Sequence, residues 1–300
     1  MIAVTGACGF IGSVLVKKLN DIGLSDLLLV DDFQIDDRVG FAYNPNYRYL
    51  QSKKFKKICN INFETDNIFK DNKIDFIFHL GAISDTTEHD YVKINRYNTE
   101  YTRLISNYAS CKRVPVVFAS TAAVYGNGYG PLNLYAKSKL ECESILKDVA
   151  CCFRIFNVYG PNEYHKNHMS SVILKWQRES KTDNSIKLFE NSSSYFRDFI
   201  YVEDVCSVML KCFNKYMTGV FDLGTGNQLS FENLADSFLS INGGVKDYIS
   251  MPANIVNQYQ TNTVANKHDL EDSGWNIDFL SIDEGVSKYL SYINNSEQVI

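Results

Sequence analysis

Seven short apolar runs recur along the chain with segments of helical length between them, and that rhythm limits the fold more than any other feature. The runs are IAVT (2–5), LLLVD (27–31), YRYL (47–50), DFIFHL (75–80), PVVFAS (115–120), CCFRIF (151–156) and FDL (221–223). Most are apolar throughout rather than at alternate positions, which is the pattern of strands covered on both faces. Stretches 11–22, 95–111, 135–149 and 170–178 carry the apolar spacing of amphipathic helices. Strands interleaved with helices predict an α/β fold built on a doubly wound parallel sheet.

Directly after the first run comes Thr5-Gly6-Ala7-Cys8-Gly9-Phe10-Ile11-Gly12. Glycine at 6, 9 and 12 permits a tight strand-to-helix turn and lets backbone approach a pyrophosphate, whose charge is favoured at a helix N-terminus. Phe10 and Ile11 belong to the same turn. Asp31 and Asp32 end the second run, about 20 residues on, where an acid bonds the adenosine ribose. The sheet is therefore expected to be Rossmann-type, with a smaller, discontinuous substrate-binding lobe. Regular order fails at Gly160-Pro161 and through 162–168, then resumes over 198–210. The predicted division is 1–163 with 199–228 for the dinucleotide and 164–198 with 229–300 for the substrate.

A second signal lies at the end of the fifth run. Ser120-Thr121 is followed by Tyr135-Ala136-Lys137-Ser138-Lys139 at a helix start, which puts Tyr135 and Lys139 on one face. The spacing predicts an ammonium that lowers the phenol's pKa and holds the nicotinamide ribose, with Ser120 or Thr121 positioning the substrate oxygen.

On these motifs the chain resembles the extended short-chain dehydrogenase/reductase superfamily, whose members oxidise, dehydrate or epimerise nucleotide sugars. The resemblance implies cofactor contacts from Leu80, Gly81, Ala82 and Ser84 after the fourth run, from Asn95 on the next helix and from Val158. It also assigns Arg197, in Arg197-Asp198-Phe199, to the substrate's diphosphate, a role that suits a planar guanidinium fork.

A narrower likeness follows Asn157-Val158-Tyr159-Gly160-Pro161. His165-Lys166, Met169-Ser170-Ser171-Val172, Lys187-Leu188-Phe189-Glu190 and Tyr259-Gln260 are similar to ADP-L-glycero-D-manno-heptose 6-epimerases. That family inverts C6 through a transient ketone, and the resemblance implies that Tyr135 and Lys166 are its two acid/base groups here, with Lys166 also beside the cofactor. Substrate contacts are implied for Ser120, Asn157, His168, Lys175, Phe189, Glu190, Asn191, Ser192, Arg197 and Tyr259. Three positions depart from the family pattern: His168 stands for a small serine, Lys175 for a histidine and Leu80 for an acid. The first two leave the exact sugar and nucleotide open. The implied cofactor is NADP, with Arg38 offsetting the repulsion from Asp31; Asp31 by itself favours NAD.

Composition excludes other classes. A net charge of −5 with 22% charged residues lacks the basic excess that a phosphate backbone demands, so no nucleic-acid partner is expected. No apolar run reaches bilayer length, and the first run starts at Ile2 without room for a signal peptide. The expectation is a cytoplasmic enzyme without a membrane partner and, by resemblance, a homo-oligomer. The eight cysteines include no C-x-x-C pair and are expected reduced and packed. His165 and His168 have no further ligands nearby, so no metal is expected. Lys53, Lys54, Lys56 and Lys57 read as solvated surface. Two readings compete with the 6-epimerase: a 4-epimerase, reductase or dehydratase of the same fold, which does not require Lys166, and a non-catalytic dinucleotide sensor.

Overall fold

The computed structural model describes residues 1–36, 41–61, 69, 72–252, 259–275 and 277–297. Its central sheet contains β1 (Ile2–Thr5), β2 (Leu27–Asp31), β3 (Lys57–Asn60), β4 (Phe76–His79), β5 (Val116–Thr121), β6 (Ala150–Ile155) and β7 (Gly219–Leu223). All seven are parallel and lie in the order β3-β2-β1-β4-β5-β6-β7. The chain thus builds outward from β1 in one direction, then returns and builds outward in the other. A crevice opens at the strand ends where the direction reverses, between β1 and β4.

Successive residues of β2 enter opposite cores, which is why its run is apolar throughout. Leu27 and Leu29 pack with Leu15, Phe153 and Val205 on the face carrying α1 (Phe10–Asp21) and α5 (Val202–Lys211). Leu28 and Val30 pack with Ile105, Phe118 and Leu146 on the face carrying α2 (Tyr101–Lys112) and α3 (Leu134–Leu146). A third core joins Trp176 of α4 (Val172–Asp183), Phe238 of α6 (Phe231–Asn242) and Ile293 of α7 (Ile282–Glu297). Tyr159 and Tyr201 close that core from two short parallel strands, Asn157–Tyr159 and Phe199–Tyr201.

Four expectations require correction. Residues 47–50 lie in a 3-10 helix, Pro45–Leu50, because Asn44 accepts the Asn46 N–H and Pro45 pre-sets the first turn. The third strand is Lys57–Asn60, an edge strand with exposed ends whose neighbouring lysines hide it in the sequence. The helix expected from Asn95 starts at Tyr91, capped by Asp90, and passes through a π-helical turn at Asn95–Glu100 before α2. All eight cysteines are free, but Cys111 is exposed rather than packed. Among the described residues no helix is long and apolar enough to cross a membrane.

Candidate active site

The crevice is a cleft of about 1210 Å³ running from the glycine turn to the third core. Gly6 opens the turn at φ +67°, and a Cβ there would lie 2.7 Å from the Gly81 backbone. A Cβ at Gly12 would lie 2.0 Å from the Gly6 carbonyl oxygen, so neither position accepts a side chain. Gly9 caps α1 without any side-chain acceptor, and no acid occupies the first helical turn. The helix start therefore presents N–H groups and a partial positive charge to the cleft with no acid in its own first turn, which fits a dinucleotide's pyrophosphate. Phe10 and Ile11 line the same end.

Asp31 ends β2 beside that turn. One carboxylate oxygen accepts the Cys8 N–H at 2.7 Å, and the other accepts from Asp32 N at 2.8 Å and Asn44 Nδ2 at 3.1 Å. Burial raises its pKa, and these hydrogen bonds oppose the rise. Asp32 also lines the cleft, whereas Arg38 lies outside the described residues.

Leu80, Gly81, Ala82 and Ser84 line the cleft after β4 through a buried polar chain that the sequence did not announce. Thr5 Oγ1 accepts the N–H groups of Leu80 and Gly81 at 3.2 and 3.1 Å and lies 2.8 Å from His79 Nδ1. Thr102 donates to the Asn98 carbonyl at 2.6 Å, so His79 Nε2, 2.9 Å away, is the donor to Thr102 and Nδ1 accepts from Thr5. Burial and the Lys139 charge push the His79 pKa down to about 3, so the ring is neutral. Asn98, rather than Asn95, braces the loop. Its side chain exchanges two hydrogen bonds with the Ile83 backbone, at 2.8 and 3.0 Å, and donates to Ser138 Oγ at 2.9 Å. Asn95 does not line the cleft; the π turn, invisible in the sequence, decides which asparagine faces the loop.

The Ser-Thr pair divides its work. Ser120 Oγ donates to Glu143 Oε1 at 2.5 Å, and Glu143 receives a bidentate bond from Arg154 at 3.0 and 2.7 Å. Thr121 Oγ1 instead accepts from Ala123 N at 3.2 Å and lines the cleft together with Tyr135. Burial pushes the Tyr135 phenol up to about 12, and Thr121 acts against the rise. The expected effect of Lys139 on the phenol is not what the geometry provides. Lys139 is buried, 3% exposed, and its Nζ donates to the Ala119 carbonyl at 2.7 Å and lies 4.5 Å from the Phe118 ring centre. Burial lowers it to about 8. Glu143 carried a signal that went unused, four residues after Lys139 and so on the same helical face.

The loop after Pro161 brings Lys166 and His168 into the same cleft. Glu163 anchors it, accepting from Ser171 N and Oγ at 2.5 and 2.6 Å and from Gly160 N at 3.3 Å. Asn162 and Asn167 hold positive φ, +74° and +46°. Lys166 Nζ lies 6.0 Å from the Phe10 ring centre, and burial lowers its pKa. His165 packs on Tyr49, and burial pushes it down to about 4.

Asn157, Val158, Lys175, Phe189, Ser192 and Tyr259 line the remainder, while Glu190 and Asn191 are exposed outside it. Arg197 is not among the residues lining the cleft; it is buried beside Tyr259 and Phe231, which are, with its guanidinium 5.1 and 5.5 Å from their ring centres. Burial lowers its pKa, and among the described residues no carboxylate pairs with it. Its neighbour Asp198 points elsewhere, accepting from Thr225 N and Oγ1, Gly226 N and Ala265 N. Arg197 thus offers an unneutralised cation, as an anionic ligand requires.

A dinucleotide cradle joined to a Ser-Thr, Tyr and Lys cluster defines a nicotinamide-dependent enzyme of the nucleotide-sugar type, and the comparisons agree. Residues 2–224 match the NAD dependent epimerase/dehydratase family, and the chain belongs to it. An ADP-L-glycero-D-manno-heptose-6-epimerase from Brachyspira hyodysenteriae is 35% identical, over 99% of this chain and 98% of that protein. Among solved structures, the Helicobacter pylori ADP-L-glycero-D-manno-heptose-6-epimerase superposes with a TM-score of 0.84 at 24% identity, covering 98% of this chain and 96% of that one. A UDP-N-acetylglucosamine 4-epimerase from Methanobrevibacter ruminantium gives 0.80 at 20% identity, with 98% of each chain covered. Those two likenesses establish the fold.

Proposed function

We propose that this chain inverts C6 of an ADP-linked manno-heptose by transient oxidation to a ketone. The observation that carries the reading is a single cleft lined by the Thr121–Tyr135 pair and by Lys166, continuous with the glycine turn. The relationship to the Brachyspira epimerase supports the choice of sugar.

A secondary alcohol carbon without an adjacent carbonyl does not lose its hydrogen as a proton, so inversion demands oxidation. A nicotinamide dinucleotide, when bound, supplies the two-electron acceptor and donor. The chain's own work is position and proton transfer. Tyr135 or Lys166 takes the hydroxyl proton as the ketone forms; the ketone turns its other face, and the second group supplies the proton of the inverted alcohol. Thr121 holds the substrate oxygen against Tyr135. Ser120 is reassigned to anchoring, because its proton is committed to Glu143. Lys139 holds the cofactor's ribose, and Arg197 binds the substrate's diphosphate.

For the cofactor, the end of β2 favours NAD. Two carboxylates, Asp31 and Asp32, meet there, and among the described residues no cation acts on Asp31, Arg38 lying outside them. One carboxylate opposes a 2′-phosphate by about 4 kcal/mol at about 4 Å and an effective dielectric near 20. Mass spectrometry of the dinucleotide released on denaturation decides between NAD and the NADP that the resemblance implies. The division into 1–163 with 199–228 and 164–198 with 229–300 and a cytoplasmic homo-oligomer belong to the same proposal; the two units interlock, because Leu270 and Trp275 pack in the first core while Tyr159 and Tyr201 pack in the third.

NMR of the protein with ADP-D-glycero-D-manno-heptose tests the reaction. Conversion to the L-glycero epimer without added cofactor is expected; no conversion even with NAD or NADP supplied refutes the sugar assignment.

A further inference from the structure

We propose that His168, paired with Asp85 at the solvent side of the cleft, is the group through which Lys166 exchanges protons with bulk water between turnovers. This rests on the two-base reading above.

In that reading the hydride taken from C6 returns to C6, so carbon and electrons balance within one turnover. Protons do not. The substrate hydroxyl gives its proton to one of Tyr135 and Lys166, and the product hydroxyl draws its proton from the other. The protein ends with one group protonated and the other deprotonated, the reverse of its starting state. Before another turnover in the same direction, one proton leaves to solvent at the first group and one enters from solvent at the second.

Lys166 is poorly placed to do this alone. It is half-buried against Phe10, beside the buried Glu163, whose oxygens are committed to Ser171 and Gly160. His168 stands two residues further on with its side chain 63% exposed, and its Nε2 lies 3.4 Å from Asp85 Oδ2. Asp85 is fixed, because its Oδ1 accepts from Thr87 N at 2.8 Å and Thr87 Oγ1 at 2.7 Å, leaving Oδ2 for the imidazole. Asp85, His168 and Lys166 all line the cleft, and Asp85 acts electrostatically on Lys166 as well as on His168. Lys175 and Glu179 of α4 and His165, whose ring feels the Lys166 charge, also line the cleft. An imidazole can take a proton at one ring nitrogen and give one from the other, and a carboxylate orients it. A small serine, as the resemblance implies at this position, offers no such group. The departure at 168 therefore adds a function rather than only reshaping the sugar pocket.

The test compares the first turnover, measured by rapid quench with enzyme in excess over ADP-D-glycero-D-manno-heptose, with steady-state turnover in dilute buffer. For His168→Ala the ratio of steady-state to first-turnover rate is expected to fall about 10- to 100-fold and to recover with added imidazole. Asp85→Asn is expected to lower the ratio in the same direction and less. An unchanged ratio, or a fall that imidazole does not repair, overturns the proposal. Lys166→Met separates the two readings: a normal first turnover in that variant removes the two-base reading, and His168 loses its role with it.

Discussion

The cleft is built by two regions of opposite character. Thr121, Tyr135 and Lys139 sit on a strand end and the first turns of a helix, braced by Asn98, Ser138 and Glu143. Lys166 and His168 sit in a loop whose short 3-10 turn, Tyr164–Met169, is kinked at Asn167; two non-glycine residues there hold positive φ, and the segment is tied down by the buried carboxylate of Glu163 and by a few bonds at Asn162 and Ser170. Regular elements hold a side chain by many backbone bonds, each weak and none indispensable. A loop depends on few contacts, and so concentrates its stability in few residues while remaining free to vary in composition.

The comparison can be broken or sharpened by experiment. The largest expected effects are chemical. Tyr135→Phe and Lys166→Met should each lower kcat by about 10²–10⁴-fold, a typical worth of one acid/base group, with Tm unchanged. A large loss for Tyr135→Phe with none for Lys166→Met would leave a single-base enzyme, as a 4-epimerase or reductase reading requires. Next comes Arg197→Ala, which removes charge-assisted bonds worth about 1.5–3 kcal/mol and should raise KM about 10- to 100-fold with a smaller change in kcat.

Acid stability distinguishes the two regions directly. His79 belongs to the braced region and His165 to the loop, and burial pushes them down from 6.5 to about 3 and about 4. The unfolded chain therefore binds more protons than the folded one below pH 6.5, so their contribution is fully present above 6.5 and is lost as pH falls towards 4 and then 3. Denaturant unfolding over that range should steepen on acidification. His165→Gln should flatten the upper part of the decline, and His79→Gln the part that extends lower. The smallest effect is expected at Asn167. Asn167→Gly relieves backbone strain but frees the unfolded chain, leaving the unfolding free energy within about 1 kcal/mol, whereas Asn167→Val should cost about 1–3 kcal/mol.

Legibility followed the same division. Gly6, Gly12, Asp31, Tyr135 and Lys139 could be read from the chain because each is tied to a strand or helix end, where backbone geometry dictates spacing. The loop residues Lys166 and His168 were reached only through family resemblance, since nothing in their spacing marks them. The third strand was misplaced because Lys57–Asn60 is short, edge-exposed and flanked by lysines, while Tyr47–Leu50 looks more strand-like and is turned into a 3-10 helix by Asn44 and Pro45.

What the sequence by itself determined was the order of strands and helices and the position of the dinucleotide turn, because both arise from local periodicity and from the steric demands of glycine. Which hydroxyl of Ser120-Thr121 meets Tyr135, which asparagine braces the cofactor loop, and where the charges of Arg197 and Asp198 go were decided only by the tertiary structure. Each depends on partners distant in the chain, Glu143 and Arg154 for Ser120, Ile83 for Asn98, Thr225 and Ala265 for Asp198. Buried polar groups orient towards whatever completes their hydrogen bonds, and folding alone brings those groups together.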